Sequence, residues 1–428
     1  MRVVYLAAGA GGMICGSCLR DNRLAATLIE RGHDVVVAPL YTPLRVDETY
    51  TADGPIYFGG INVVLQQTAR LFRHTPRWMD AILDNRRLLR AVGRLSSGAD
   101  PTSLGAMTVS LLRGRDGRQR KELDRLAGWL ERHRPDVINL ANLMFAGLAA
   151  DLKHRSGAKI VCTLSGEDIF LDRLTQPHRD AAFDLIRRST DHVDAFVATS
   201  RYYARHCAGH FALPANKIHH VPMGIRVTDF APVRERSASS EPTIGYFARI
   251  SHDKGFVQLC DAFVRLNQTG HPCRLRAGGY LGKPDIPAFE QGKRLIADAG
   301  LLDRFAYVGE VDRRRKIAFF HAIDIFSVPA AYREAKGLSV IEAMAAGVPV
   351  VQPRHGSYPE LVDATGGGVL VAPGSTDELV EAIACLMSDP VRRRRLSRAA
   401  QTGTAKLFSD QVMADATWRI YRDLCAAT

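Results

Sequence analysis

"RVVYLAAGAGGMICGSCLRDNRLAATLIERGHDVVVAPL", residues 2–40, decides the fold. An apolar run at 3–6 gives way to a loop with glycines at 9, 11, 12 and 16. A helix follows, with Leu19, Leu24, Leu28 and Ile29 near helical spacing, and it ends near Gly32. Residues Val35 to Leu40 then form a second, wholly apolar strand. Strands with no polar alternation are buried on both faces, as in a parallel sheet, so the stretch predicts a βαβ unit.

Working outward, residues 41–125 read as an irregular insertion in which "PIYFGGINVVLQQ" (55–67) resembles a strand entering a helix. Regular alternation resumes with the strands "DVINL", "KIVCTL" and "AFVATS". The Ser- and charge-rich "APVRERSASSEP" (231–242) is the best linker, and a second series of strands follows it: "TIGYFARI", "CRLRAGG", "FAYVGE", "IFSVPA" and "PVVQP". A terminal helix, "SDQVMADATWRIYRDLCAA", has Ser409 or Asp410 as its N-cap. The expected organisation is an α/β chain of two doubly wound halves, 1–230 and 231–405, with a separate helix at 406–428.

A chain of 428 residues is long enough for two cores of ordinary size. Its longest apolar stretch, "VINLANLMFAGLAA", is broken by Asn139 and Asn142 and falls short of the roughly 18 residues a membrane span needs. The first apolar run is too short for a signal-peptide core. Eight scattered cysteines fit reduced thiols in a cytoplasm better than a disulfide framework. The net charge is +12, and the stretch Arg86 to Arg134 carries twelve Lys or Arg against five Asp or Glu. Such a bias is read either as a solvated face or as a site for an anionic partner: nucleotide phosphates, a phosphorylated acceptor or an anionic membrane surface. No nucleic-acid module accompanies it, so DNA and RNA are not expected partners.

The chemistry concentrates in "AYREAKGLSVIEAMAAGVPVV" (331–351). A helix is expected from Leu338, burying Val340, Ile341 and Met344 and capped by Gly347. The turn before it presents the N–H groups of Gly337, Leu338 and Ser339, backed by the helix dipole, to an anion. Carboxylates repel phosphate, so Glu334 and Glu342 call for other ligands, and the vicinal hydroxyls of sugars are suitable donors to them. Diphosphate on the N–H groups with a sugar on either side describes a nucleotide-activated sugar. In "FARISHDKGF" (247–256), Arg249 and Lys254 occupy the loop after the first strand of the second half, where ligands of doubly wound sheets gather.

"FARISHDKGF", "VPMGIRVTDF", "YVGEVDRRRKIAFFHAIDIFSVPA" and above all "EAKGLSVIEAMAAGVPVV" with "GSYPELV" resemble the retaining glycosyltransferases of GT-B fold, glycosyltransferase family 4 (glycosyl transferases group 1). The resemblance spans nearly all of 221–400 and the stretch 16–35. It implies two Rossmann-like domains facing across a cleft, the first for the acceptor and the second for the nucleotide sugar, with the last helix returning to the first domain. It implies no metal and no cofactor beyond the donor itself, UDP- or GDP-linked ahead of ADP-linked. By the same resemblance Glu342 holds ribose hydroxyls, Glu334 holds the transferred sugar, and Arg249 and Lys254 clamp the diphosphate. The loop at Gly309 and Glu310 borders the base, and Gly12 and Gly16 let the first domain's backbone approach the donor.

The sequence departs from that family at Ser165, which stands where many relatives carry a histidine. Either Ser165 with Glu167 or Asp168 takes over its contact, or the acceptor geometry differs, or the two acids cap the following helix. Asp21 is a further acceptor-side candidate. Met223 replaces a common Asn, and Lys336 replaces an aromatic. "CGSC" (15–18) raises a dithiol alternative, and a binding protein without turnover or a phosphorylase or epimerase on the same fold are the other readings. A cytoplasmic protein, peripheral at the inner membrane face, is expected.

Overall fold

The computed structural model describes residues 1–9, 16–49, 51, 56–76, 83, 89, 104–231 and 241–426. The chain divides into two compact units: Met1–Pro222 together with Met413–Thr428, and Met223–Val412.

In the first unit six parallel strands take the order β2-β1-β3-β4-β5-β6. They are β1 Arg2–Ala8, β2 Asp34–Leu40, β3 Val137–Leu140, β4 Lys159–Leu164, β5 Ala195–Ala198 and β6 Ile218–His220. The opening stretch folds as its pattern requires. β1 and β2 pair in parallel from Arg2 opposite Asp34 to Ala8 opposite Leu40, joined by the helix Gly16–Glu30. That helix is buried well beyond its apolar stripe: Arg20, Asp21, Asn22 and Arg23 are all inside. The strand expected at 55–58 reduces to one isolated bridge, Leu40 with Tyr57, ahead of the helix Gly60–Thr68.

The helix Asp410–Ala426, with the Ser409 hydroxyl accepting the Val412 N–H at 3.3 Å, sends Met413, Ala414 and Tyr421 into the core of the first unit beside Tyr5 and Val137. A buried polar knot anchors it. Tyr421 donates to the Asn139 side-chain carbonyl (3.0 Å), Asn139 donates to Thr163 (3.0 Å), and Thr163 meets the Tyr5 hydroxyl at 3.2 Å. Tyr5 in turn donates to Asp21 (2.9 Å) and accepts from Arg20 (2.8 Å). Burial pushes the Tyr5 and Tyr421 hydroxyls well above the ordinary phenolic range, so both stay neutral and able to donate.

The second unit is again six parallel strands, in the order β12-β11-β10-β7-β8-β9: β7 Thr243–Phe247, β8 Arg274–Gly278, β9 Phe305–Tyr307, β10 Ile325–Phe326, β11 Val350–Pro353 and β12 Gly368–Val371. Counted within the unit this is 3-2-1-4-5-6 read from the β9 edge, the mononucleotide-binding order whose reversal lies between β7 and β10. The sequence reading misses β6 and β12, both edge strands. β6, with His219 and His220 exposed, has no apolar run, and β12 is a four-residue strand, GVLV, that starts on the last of three glycines.

Replacing Tyr421 with Phe leaves the Asn139 carbonyl buried without its donor and is expected to destabilise the first unit by about 1–3 kcal/mol. Urea unfolding followed by fluorescence measures the loss.

Candidate functional site

The reversal between β7 and β10 brings two loops of the second unit side by side. The loop after β7 carries Arg249 to Gly255, and the loop after β10 carries Pro329 to Gly337. They are stitched by the Ala331 N–H donating to the Asp253 carbonyl at 2.8 Å. Across this seam Lys254 forms a short ion pair with Glu334 Oε2, and the Tyr332 hydroxyl donates to the same oxygen at 3.0 Å. The Lys254 ammonium also lies over the Tyr332 ring, 4.7 Å from its centroid. Burial alone would raise the Glu334 pKa, but Lys254, by charge and by hydrogen bond, outweighs it and brings the carboxyl down to about 2. Lys254 is raised: its burial works against the charge, and Glu334 prevails.

Glycine holds Glu334 in place from behind. Gly356, at φ +62°, lies so near the Glu334 backbone that a Cβ there would sit 2.6 Å from both its N and O, and the next residue, Ser357, donates its N–H to the Glu334 carbonyl at 2.7 Å. The "GSYPELV" loop after β11 is therefore part of the same construction. The helix that follows Glu334 is Leu338–Ala345, capped by Gly337 at φ +70°, a left-handed turn that L side chains avoid. Val340 and Ile341 return their N–H groups to the Gly337 carbonyl at 3.1 Å, so the N–H groups of Gly337, Leu338 and Ser339 precede the first intrahelical bond and face outward from the helix start.

Glu342, one turn on, is 3% exposed and receives the Lys316 ammonium on Oε1 at 2.5 Å, with Lys316 also 3% exposed. Lys316 belongs to the helix Arg313–His321, whose N-cap Asp312 accepts the Arg315 N–H at 2.8 Å. Both acids thus have a lysine partner: Glu334 from the loop after β7, Glu342 from the helix after β9. The sequence reading missed Lys316 and Tyr332. Its one signal for Lys316 is that this lysine shares a helix face with Phe319 and Phe320, three and four residues on, which are both buried. Arg249 lies nearer solvent, with a loose pairing to Asp253 at 3.4 Å. Gly309, at φ +72°, gives its carbonyl to the Gly279 N–H (2.9 Å) at the end of β9, and Glu310 beside it is exposed.

The remaining candidates lie in the first unit. Gly16 begins the helix Gly16–Glu30, whereas Gly12 and Cys15 lie outside the described residues. Cys18 is buried with its thiol toward the Ala8 carbonyl at 3.0 Å. Asp21 sits in the polar knot with Tyr5 and Arg20. Ser165, at the end of β4, turns its hydroxyl to the Ala141 carbonyl (3.3 Å) and its N–H to Glu167 Oε2 (2.7 Å). Glu167 also accepts the Leu143 N–H (3.1 Å) and the Tyr203 hydroxyl (3.2 Å), so it clasps the loops after β3 and β4. Asp168 accepts from Tyr203 at 2.8 Å and lies 3.2 Å from His206; burial opposes its ionisation, and these two partners more than offset that.

The family profile described as Glycosyl transferases group 1 matches residues 228–403, and that described as Glycosyltransferase Family 4 matches 107–229. The lipopolysaccharide core biosynthesis mannosyltransferase LpsB of Rhizobium meliloti is 32% identical over 275 residues, 60% of this chain and 72% of that protein. The chain belongs to the glycosyl transferases of group 1, family 4. A GDP-mannose-dependent alpha-(1-6)-phosphatidylinositol monomannoside mannosyltransferase of Mycolicibacterium smegmatis is 25% identical over 377 residues, 83% of this chain and 91% of that one. Among solved structures, the sucrose-phosphate synthase of Thermosynechococcus elongatus superposes with a TM-score of 0.74 at 18% identity, each chain covered in full. Anabaena HepE in complex with UDP gives 0.69 at 17% identity, covering 99% of this chain and 100% of that one. At those identities the likeness establishes the fold, the GT-B class of two doubly wound α/β units. This family 4 transferase is an enzyme of glycosyl transfer.

The Glu334–Lys254 pair makes a pH prediction for the enzyme. A carboxyl lowered from its ordinary 4.5 to about 2 on folding contributes stability that is complete above pH 4.5 and is lost as pH falls toward 2. The raised Lys254 contributes below its ordinary 10.5 and loses that only at more alkaline pH. Thermal midpoints measured from pH 7 down to 2 are expected to fall through this acid window, and the Glu334→Gln variant, less stable at pH 7, is expected to lose part of that slope.

Proposed function

We propose that the enzyme moves a sugar from a nucleoside-diphosphate sugar to an acceptor hydroxyl with retention of anomeric configuration and without a metal ion. The observation that carries this is the seam at the strand-order reversal. There, two lysine-paired carboxylates flank one helix start whose N–H groups are left for an anion. Two carboxylates alone would repel a diphosphate, but the lysines cancel their charge locally while leaving them strong hydrogen-bond acceptors for hydroxyls. Glu342 would take the ribose diol and Glu334 the transferred sugar. Arg249, Lys254 and the N–H groups of Gly337 to Ser339 would hold the diphosphate, the charge-neutralising task a divalent cation performs in other transferases.

In the reaction the acceptor oxygen bonds to the anomeric carbon on the face the leaving group departs from. The bond from that carbon to the phosphate oxygen breaks, and the acceptor's proton passes to the freed diphosphate. Little covalent work falls to the protein, so the rate enhancement comes from positioning and from stabilising the charge gathering on the diphosphate. The relatives named for GDP-mannose and the neighbour solved with UDP support a GDP- or UDP-linked donor ahead of an ADP-linked one. Acceptor binding is assigned to the first unit, and a site of action at the cytoplasmic face of a membrane accords with the lipopolysaccharide core and the phosphatidylinositol monomannoside in the relatives' names.

Incubation with a panel of UDP-, GDP- and ADP-sugars and candidate acceptors is expected to release one nucleoside diphosphate. Tight binding without release would instead mark a binding protein, and dependence on inorganic phosphate a phosphorylase. Replacing Arg249 with Ala is expected to lower kcat on the order of a hundredfold, about 3 kcal/mol by analogy with removing one oxyanion donor.

Lys316 and Glu342 form the second test. Lys316→Met strands a buried carboxylate and is expected to cost about 3–5 kcal/mol of stability. Pairing it with Glu342→Leu restores much of that stability but not donor affinity, because the ribose ligand is gone. A double-mutant cycle in unfolding, run beside donor binding by calorimetry, separates the two effects.

A further inference from the structure

In the first unit, a concavity of about 550 Å³ is lined by Arg73, His74, Arg118, Arg120, Lys121 and Arg125, with Asp116 and Asp124 its only acids among the described residues. Five permanent cations against two carboxylates around one hollow is a costly arrangement unless something offsets the repulsion.

Two of the arginines, Arg73 and Arg118, are fixed in place. The helix Gly60–Thr68 ends with carbonyls that have no intrahelical partner, and two of them are taken by guanidinium groups of this hollow. Arg73 Nε donates to the Gln66 carbonyl at 2.9 Å and Arg118 Nη1 to the Gln67 carbonyl at 2.7 Å. Each bond uses one nitrogen and leaves the rest of the fork for another acceptor. The Arg118 backbone is held as well, its N–H donating to Ser110 Oγ (2.8 Å), which itself donates to Gln119 (2.7 Å). Gly117 is required beside it, because a Cβ would sit 2.0 Å from the Ser110 carbonyl. Lys121 ties the opposite wall down through the Thr75 carbonyl (2.5 Å) and hydroxyl (2.8 Å).

Arg125 is committed elsewhere, to Glu122, to the Ile56 carbonyl and to the Tyr57 ring. Among the described residues Arg120 has only a distant contact with Asp124, 3.7 Å, and Asp124 is shared with Arg155 at 3.1 Å. Glu122, the acid in the first turn of the helix Arg120–His133, is fully buried and accepts from the Phe58 N–H, Gln66 and Arg125, so it offsets Arg125 and leaves the other four cations of the hollow to Asp116 and Asp124.

We propose that this hollow is a binding site for a phosphate-bearing group, recognised by the forks of Arg73, Arg118 and Arg120. Planar guanidinium groups held by backbone carbonyls are pre-organised for two-point contact with phosphate oxygens, and the volume accommodates more than a single phosphate. The phosphate could be carried by a soluble metabolite or by a lipid headgroup, and the chemistry of recognition is the same for both. The site belongs to the first unit and the donor residues to the second, and the proposal does not depend on their assigned roles.

Arginine labelling by phenylglyoxal, read peptide by peptide with mass spectrometry on the whole chain, tests the site directly. Inorganic pyrophosphate is expected to protect Arg118 and Arg120, with affinity falling as salt rises. Removing both charges in the Arg118→Gln/Arg120→Gln variant is expected to weaken binding about tenfold per guanidinium. The Arg118→Lys/Arg120→Lys variant, which keeps charge but loses the fork, should fall between. Co-sedimentation with phosphatidic acid vesicles, against phosphatidylcholine vesicles, supplies the second arm: protection by free pyrophosphate points to a soluble ligand, and vesicle binding lost in the double Gln variant points to a headgroup. Labelling unchanged by pyrophosphate together with absent vesicle binding, or binding equal in wild type and double Gln variant, would overturn the proposal. Both positions are at the surface, so unfolding midpoints of the variants should match the wild type and keep the comparison valid.

Discussion

The ion pair between Lys254 and Glu334 is the contact on which the second unit's site depends. It joins loops that follow β7 and β10, strands far apart in sequence and adjacent only because the sheet reverses its order between them. Without the lysine the carboxylate would be a buried charge in a crowded turn, and without the carboxylate the lysine would have only the Tyr332 ring for company. Each makes the other's ionisation tolerable, and the sheet makes the pair possible.

The same logic repeats one helix turn later with less water. Glu342 and Lys316 lie almost wholly inside, on two helices whose Phe319, Phe320, Val340 and Ile341 belong to one apolar core. An ionised acid in such a place is a fixed acceptor rather than a mobile one. Fixed acceptors discriminate: a ring hydroxyl can satisfy them, and a group that lacks a proton to donate cannot.

Much of this was legible in the order of residues, because helices, buried strands and glycine turns are written locally. The βαβ unit at 2–40 and the helix from Leu338 are local patterns, and the chain forms both. The edge strands β6 and β12 were not legible, since β6 carries two exposed histidines in three residues and β12 is a four-residue run hidden behind three glycines. Nor was the burial of Arg20 and Asp21, because the apolar stripe of their helix marks one face as internal and says nothing of a second face closed by other elements. The partners of the two glutamates were hidden for a related reason. Lys254 is 80 positions from Glu334 and Lys316 is 26 from Glu342, so each pairing exists only once strand order has been set. Lys254 was singled out by its place in the loop after the first strand of the second half, as a cation for diphosphate and not as a partner of Glu334, whereas Lys316 had nothing but an odd place on a greasy helix face.

The Tyr421–Asn139 bond bears on how the chain is made. The second unit, Met223–Val412, is one continuous segment and has everything it needs once its own last strand and helices have emerged from the ribosome. The first unit, although begun earlier, waits for the helix Asp410–Ala426 to fill its core, so the Asn139 carbonyl stays without the Tyr421 hydroxyl until that segment has been made. A truncated product would therefore carry one finished half and one unfinished half, and the wounded half would be the one made first.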